Sequence, residues 1–284
     1  DVTVTRTGRD EFLWITSSAS VVRDKDWIER HVPAGQRVSV TDVSSAFAVL
    51  GVMGPRSREL LQRLSSADLT HEGFPFGTSR EIDLGHSTVR ATRLTYVGEL
   101  GWELYVPSDF AVGVFDLLHD AGADLGVADA GYYAINALRL EKGYRAFGPE
   151  LNPDYNPVEA GLTFTAKLGG GVPFLGREAV EAAKADGVRR RLVSFVLDDP
   201  AAMMWGGELV VRDGEGTGQV TSAAYATATG SCVGLAYVWR RDGGIVTKDY
   251  LDTGTWQINV SGTLVPARIS LSAPYDPTNA RIRS

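Results

Sequence analysis

The chain has 284 residues, with 28 Lys and Arg against 35 Asp and Glu and a formal net charge of −7. Negative charge spread along the chain excludes a general nucleic-acid surface, and no apolar run approaches the ~18 residues that a membrane span needs. A single cysteine, Cys232, excludes a disulfide framework and a multi-cysteine metal site and fits a reducing cytoplasm, while the histidines are scattered without ligand spacing.

The first residues, "DVTVTR" and "EFLWITSS", alternate as a β-hairpin that turns at Gly8 to Asp10. "VVRDKDWIERHV" has helical spacing at Val22, Trp27, Ile28 and Val32, and Pro33 stops it. "VSVTDVSSAFAVLGVMGP" predicts two strands, and "RSRELLQRL" a short amphipathic helix after the Gly54–Pro55 turn. A strand pair follows over "EIDLGHSTVRATRLTYVGELGWELYVP", then a helix over Asp109 to Ala121 with Phe110, Val114, Phe115 and Leu118 on its apolar face. Ala128 to Lys142 reads as another helix, and "GYRAFGPELNPDYNPVEAG" as a long Pro-, Gly- and Asn-punctuated loop of the functional kind. "FLGREAVEAAKADG" is a helix. From Arg189 the texture changes to six short strand-like runs separated by turns, the signature of a barrel or sandwich. The expected organisation is an α+β region over 1–165, a linking helix over 166–188 and an all-β barrel over 189–284.

Two stretches carry candidate chemistry. In "TYVGELGWELYVP", Leu100, Trp102, Leu104 and Val106 form one strand face, and Glu99, Gly101, Glu103 and Tyr105 the other. That second face is either a solvated surface or a ligand floor. In the second case Gly98 and Gly101 leave room for a flat ligand, and Glu103 offers two acceptor oxygens. In "NALRLEKG", Arg139 either pairs with a carboxylate, Glu141 or Glu159, or forks around an anionic or planar ligand. No P-loop, dinucleotide fingerprint or serine nucleophile elbow is present, and Cys232 reads as a small buried hydrophobe.

The ordered set "YVGELGWELYVP", "ALRLEKGYRAFGPELNP", "PVEAGL" and "FLGREAV" resembles the tetrahydrofolate-dependent aminomethyltransferase family, typified by the glycine cleavage T-protein. "MMWGGE", "GQVTSAAY" and "PYDPTNARIR" are similar to the folate-binding C-terminal half of dimethylglycine and sarcosine dehydrogenases. The resemblance implies the aminomethyltransferase folate-binding fold, incomplete at its N-terminus, followed by a C-terminal β-barrel. It implies that Tyr96 and Glu103 face tetrahydrofolate, that Glu103 pairs with the pterin edge, that Arg139 is the family arginine and that Asp1 matches the catalytic aspartate. Ile15 and Ser17 stand where the family has Val-x-Asn, so the Asn contact becomes a shorter serine one. The family segment that normally precedes the aspartate is missing before Asp1, and the chain reads as a piece of something longer.

The implied function is transfer of a one-carbon unit from an iminium to tetrahydrofolate, giving 5,10-methylene-tetrahydrofolate. The partners implied are folate and a small methylated amine, with FAD only if a flavin domain precedes in the same chain. An alternative is a T-protein-like transferase or folate-dependent demethylase without a flavin domain. A non-enzymatic folate-binding protein, like the related iron–sulfur assembly factors, is a minor alternative. Their loop carries a cysteine where "YRAFGPE" has Arg145.

Overall fold

The computed structural model describes residues 1–284, and its packing resolves into two compact units. The first holds residues 1–95, 99–129 and 280–284; the second holds 96–98 and 130–279. Helix and loop residues from Ala130 onward belong to the same compact unit as the barrel strands.

In the first unit, β1 (Thr3–Arg6) and β2 (Phe12–Ile15) form the expected hairpin as a separate two-stranded sheet. Helix α1 (Val21–Arg30) forms where the periodicity places it, yet buries none of its residues. Only one of the two strands expected over 38–53 exists, β3 (Phe47–Met53). The "VSVT" run has no partner strand, and an unpaired alternating run gains no ladder to hold it extended.

The main sheet of this unit is antiparallel in the order β3, β6 (Gly101–Pro107), β5 (Ser87–Thr92), β4 (Ser79–Leu84), with β3 and β4 at its edges. One face supplies Leu50, Trp102, Leu104, Val106, Ala91 and Ile82 to a core completed by α2 (Ser57–Leu64) and α3 (Ala111–Gly122). On α3 the buried stripe is Val114, Leu118 and Gly122; Phe110 and Phe115 are exposed, against expectation. Phe110 ends a 3-10 turn, Ser108–Phe110, so the α-helical phase starts after it and Phe115 falls on the flank. Arg93 is fully buried beneath the same core, its guanidinium 5.6 Å from the Trp102 ring centroid, and donates to the carbonyls of Phe74, Ile282 and Ser284.

In the second unit, α4 (Tyr132–Glu141) begins later than Ala128 because Gly131 is extended at its N-cap, leaving Tyr132 and Tyr133 exposed. Leu140 on its inner face packs with Leu192, Leu235 and Tyr237. Helix α5 (Arg177–Asp186) precedes six strands that close on themselves: β7 (Arg190–Leu197), β8 (Leu209–Arg212), β9 (Glu215–Ala226), β10 (Ser231–Trp239), β11 (Trp256–Val260) and β12 (Thr263–Ser270). The barrel order is β10-β7-β12-β11-β8-β9, all antiparallel, which leaves no open edge. A short helix, α6 (Lys248–Asp252), sits between β10 and β11. Cys232 is buried among Phe195, Val210 and Ile258 in the barrel core, and burial pushes its thiol up, so it serves as packing.

Candidate functional site

Strand β6 delivers Glu103 to the face of the sheet that α2 and α3 do not cover. The register puts Gly51 of β3 opposite Glu103 on one side and Thr92 of β5 on the other. Gly51 is exposed, and a Cβ placed there would meet only the Met53 methyl carbon at 3.5 Å. Beside Glu103 the strand surface at Gly51 therefore carries no side chain of its own and is bordered within 4 Å only by the Met53 methyl group. Opening is not where the glycine pattern put it. A Cβ at Gly101 would lie 2.7 Å from Met53 Cγ, and one at Gly98 would lie 2.8 Å from the Lys142 stem, so those two glycines admit neighbouring side chains of the protein itself.

Glu103 is half-buried and is held by Tyr105, whose phenol donates to Oε2 at 2.7 Å. Burial first, then the carboxylate beside it, push the Tyr105 phenol well above its ordinary range, so it stays a protonated donor. Tyr105 shares the Glu103 face by period two, which was visible in the sequence; Gly51 was not, because only the β3–β6 register brings it there.

Asp1, Ile15 and Ser17 lie together at the open end of the hairpin. Ile15 pairs with Thr3, Asp1 stands exposed two residues before that pair, and Ser17 follows two residues after it. Ser17 Oγ is already engaged, donating to Ser20 Oγ at 2.9 Å.

Tyr96 and Arg139 belong to the second unit. The half-buried Tyr96 donates its phenol to the Arg145 carbonyl at 3.1 Å and lies nearly parallel to Tyr144, with ring centroids 6.2 Å apart and planes 16° from parallel. Burial pushes both phenols up. Arg139 is 2% exposed and pairs with Glu150 at 2.9 Å, while also donating to Asn136 Oδ1 and the Tyr144 carbonyl. The carboxylate is thus neither Glu141, which accepts from the Ala228 amide, nor Glu159, which pairs with Arg190. A second buried pair, Lys142 with Asp276 at 2.7 Å, fixes the "PYDPTN" segment and places the Lys142 stem under Gly98.

A cavity of about 340 Å³ on the barrel is lined by Arg212, Arg240 and Arg241. Each is paired with its own carboxylate, Asp213, Asp242 or Glu215, so the cavity has no net charge with which to draw an anion.

The profile described as the GCVT N-terminal domain matches residues 1–169, and the glycine cleavage T-protein C-terminal barrel domain matches residues 190–276. The human mitochondrial sarcosine dehydrogenase is 41% identical over 242 residues, covering 85% of this chain and 26% of that protein. The human mitochondrial dimethylglycine dehydrogenase is 39% identical over 239 residues, covering 84% and 28%. The chain thus spans about a quarter of the length of these relatives. The crystal structure of the glycine cleavage system aminomethyltransferase T from Bartonella henselae superposes with a TM-score of 0.78 at 22% identity, over 97% of this chain and 72% of that one, a likeness of fold. Two profiles in their family order, an α+β sheet unit and a closed barrel place the chain in the glycine cleavage T-protein family of aminomethyltransferases.

Proposed function

We propose that this chain is the tetrahydrofolate-binding part of a dimethylglycine or sarcosine dehydrogenase-like protein and captures a one-carbon unit as 5,10-methylene-tetrahydrofolate. The observation that carries the reading is the half-buried Glu103 carboxylate, oriented by Tyr105 and set beside the bare strand surface at Gly51. A pterin edge presents an amino group and a ring N–H side by side, and a carboxylate accepts from both. Folate supplies the two nitrogens that accept the carbon. The protein's part is to hold the ring through Glu103, to offer the Tyr96 ring as an apolar surface and to place the Asp1 carboxylate where cationic charge develops.

Ile15, Ser17 and Arg139 complete the contact set that the family likeness carries. For Arg139 the ion pair with Glu150 makes anchoring of α4 and of the loop after it part of that role. The amine-oxidising step falls in this reading to a flavin domain elsewhere in the same protein, as the relationship to the two dehydrogenases suggests. A reducing compartment, cytoplasm or mitochondrial matrix, suits the lone buried cysteine.

Glu103→Gln is expected to weaken tetrahydrofolate binding by about 1–3 kcal/mol, the scale of a lost charged hydrogen-bond acceptor, with the melting temperature unchanged. Calorimetric titration reads the affinity, and parental affinity in the variant would remove Glu103 from the site. Asp1→Asn, introduced into the full-length protein supplied with amine and tetrahydrofolate, is expected to divert product from methylene-tetrahydrofolate to free formaldehyde while amine oxidation continues. An unchanged ratio of the two products would take Asp1 out of the reaction.

A further inference from the structure

We infer that Tyr105 is the positioning residue of the folate site, fixing the Glu103 carboxylate in the orientation in which its remaining oxygen accepts from the ligand; this rests on the reading above. Glu103 and Tyr105 are two apart on β6 and so share a face. The phenol reaches Glu103 Oε2 at 2.7 Å, and Tyr105 itself is 2% exposed, so its ring has no freedom to swing away. The residue flanking Glu103 on β5 closes the group from the other side. The Thr92 hydroxyl meets the phenol and is hydrogen-bonded with Ser79 Oγ at 2.9 Å. Thr92 is buried as well, so the donor that holds Glu103 is itself held.

Two consequences follow for the carboxylate. A glutamate side chain loses rotamer freedom when it clamps a ligand, and a side chain already tied down has less to lose on binding. The phenol also occupies one of the roughly four acceptor positions of the carboxylate, on Oε2, and leaves those of the other oxygen to a ligand. Tyr105 touches no ligand in this arrangement. Its effect passes through Glu103 alone, and that makes the two residues a single energetic unit.

The test is a double-mutant cycle in the full-length protein, with tetrahydrofolate as the titrated probe: wild type, Tyr105→Phe, Glu103→Gln and the double variant. Tyr105→Phe keeps the ring and removes one oxygen; thermal melting checks that each variant is folded. The expected result is about a 3- to 10-fold loss of affinity in Tyr105→Phe, the size of one hydrogen bond. No further loss is expected when the same change is made on the Glu103→Gln background. A merely structural tyrosine would lower affinity by the same factor on both backgrounds, and that result overturns the inference. Wild-type affinity in Tyr105→Phe alongside a weakened Glu103→Gln overturns it too, while leaving the folate reading standing. Wild-type affinity in Glu103→Gln overturns the folate reading itself and the inference with it.

Discussion

Replacing Glu150 with alanine is expected to cost about 3–5 kcal/mol of stability, the scale for removing one member of a buried ion pair. Glu150 is wholly buried, and its carboxylate gathers donors from three separate parts of the second unit: Arg139 on α4, the Ala146 amide in the loop that follows, and the Thr221 and Ser222 hydroxyls on β9. Without it the Arg139 guanidinium, 2% exposed, is left as an uncompensated charge. Arg139→Ala is expected to be as damaging for the reciprocal reason. Replacing both partners together, Arg139→Met with Glu150→Leu, should cost much less than either truncation, because no lone charge remains buried. Urea unfolding of the three variants measures this, and a loss below about 1 kcal/mol in Glu150→Ala would show that the pair is not the anchor described. The pair also governs how any loss of folate binding in an Arg139 variant is read. Affinity must be compared at a temperature where that variant is still folded.

The partner of Arg139 shows where a sequence stops being legible. Glu141 lies two residues on along α4, and residues two apart on a helix do not face each other. Glu150 is reached only because the loop after α4 folds back under the helix and is then pinned by two hydroxyls of β9, a long-range arrangement with no local signature. The six barrel strands were legible for the opposite reason. Each is a short β-prone run bounded by its own turn, so local pattern and tertiary pairing agree. Where a neighbour decides the outcome, pattern alone misleads: "VSVT" alternates like a strand but has nothing to pair with, and Phe115 sits at helical spacing but on the flank of the buried stripe. The candidate site divides in the same way. Glu103 and Tyr105 could be assigned to one face from their spacing, whereas the open place beside them depends on which strand pairs with β6 and in what register.

Gly51→Val separates folding from binding most sharply. Gly51 lies in the middle of edge strand β3 with an ordinary extended backbone, so a side chain there is not strained, and the nearest atom to its Cβ would be the Met53 methyl carbon at 3.5 Å, an ordinary contact. Replacing a strand glycine with a β-branched residue removes unfolded-state freedom and suits the pleat, so stability should hold or rise by up to about 1 kcal/mol. Directly opposite residues on adjacent strands have Cβ atoms about 4.5–5.5 Å apart. The two valine methyl groups would therefore stand beside the Glu103 carboxylate, on the surface where a flat ring must lie to reach it. Tetrahydrofolate affinity is expected to fall at least about 10-fold in a protein that melts no lower than the parent, the loss of more than one hydrogen bond's worth of binding. Gly101→Ala is the contrasting change: its Cβ would sit 2.7 Å from Met53 Cγ on the same face, so it should lower the melting temperature. If Gly51→Val binds tetrahydrofolate as the parent does while keeping its stability, the ring does not lie over the Gly51 side of Glu103. The approach would then have to come from the Thr92 side, where Tyr105 and Thr92 already fill the surface.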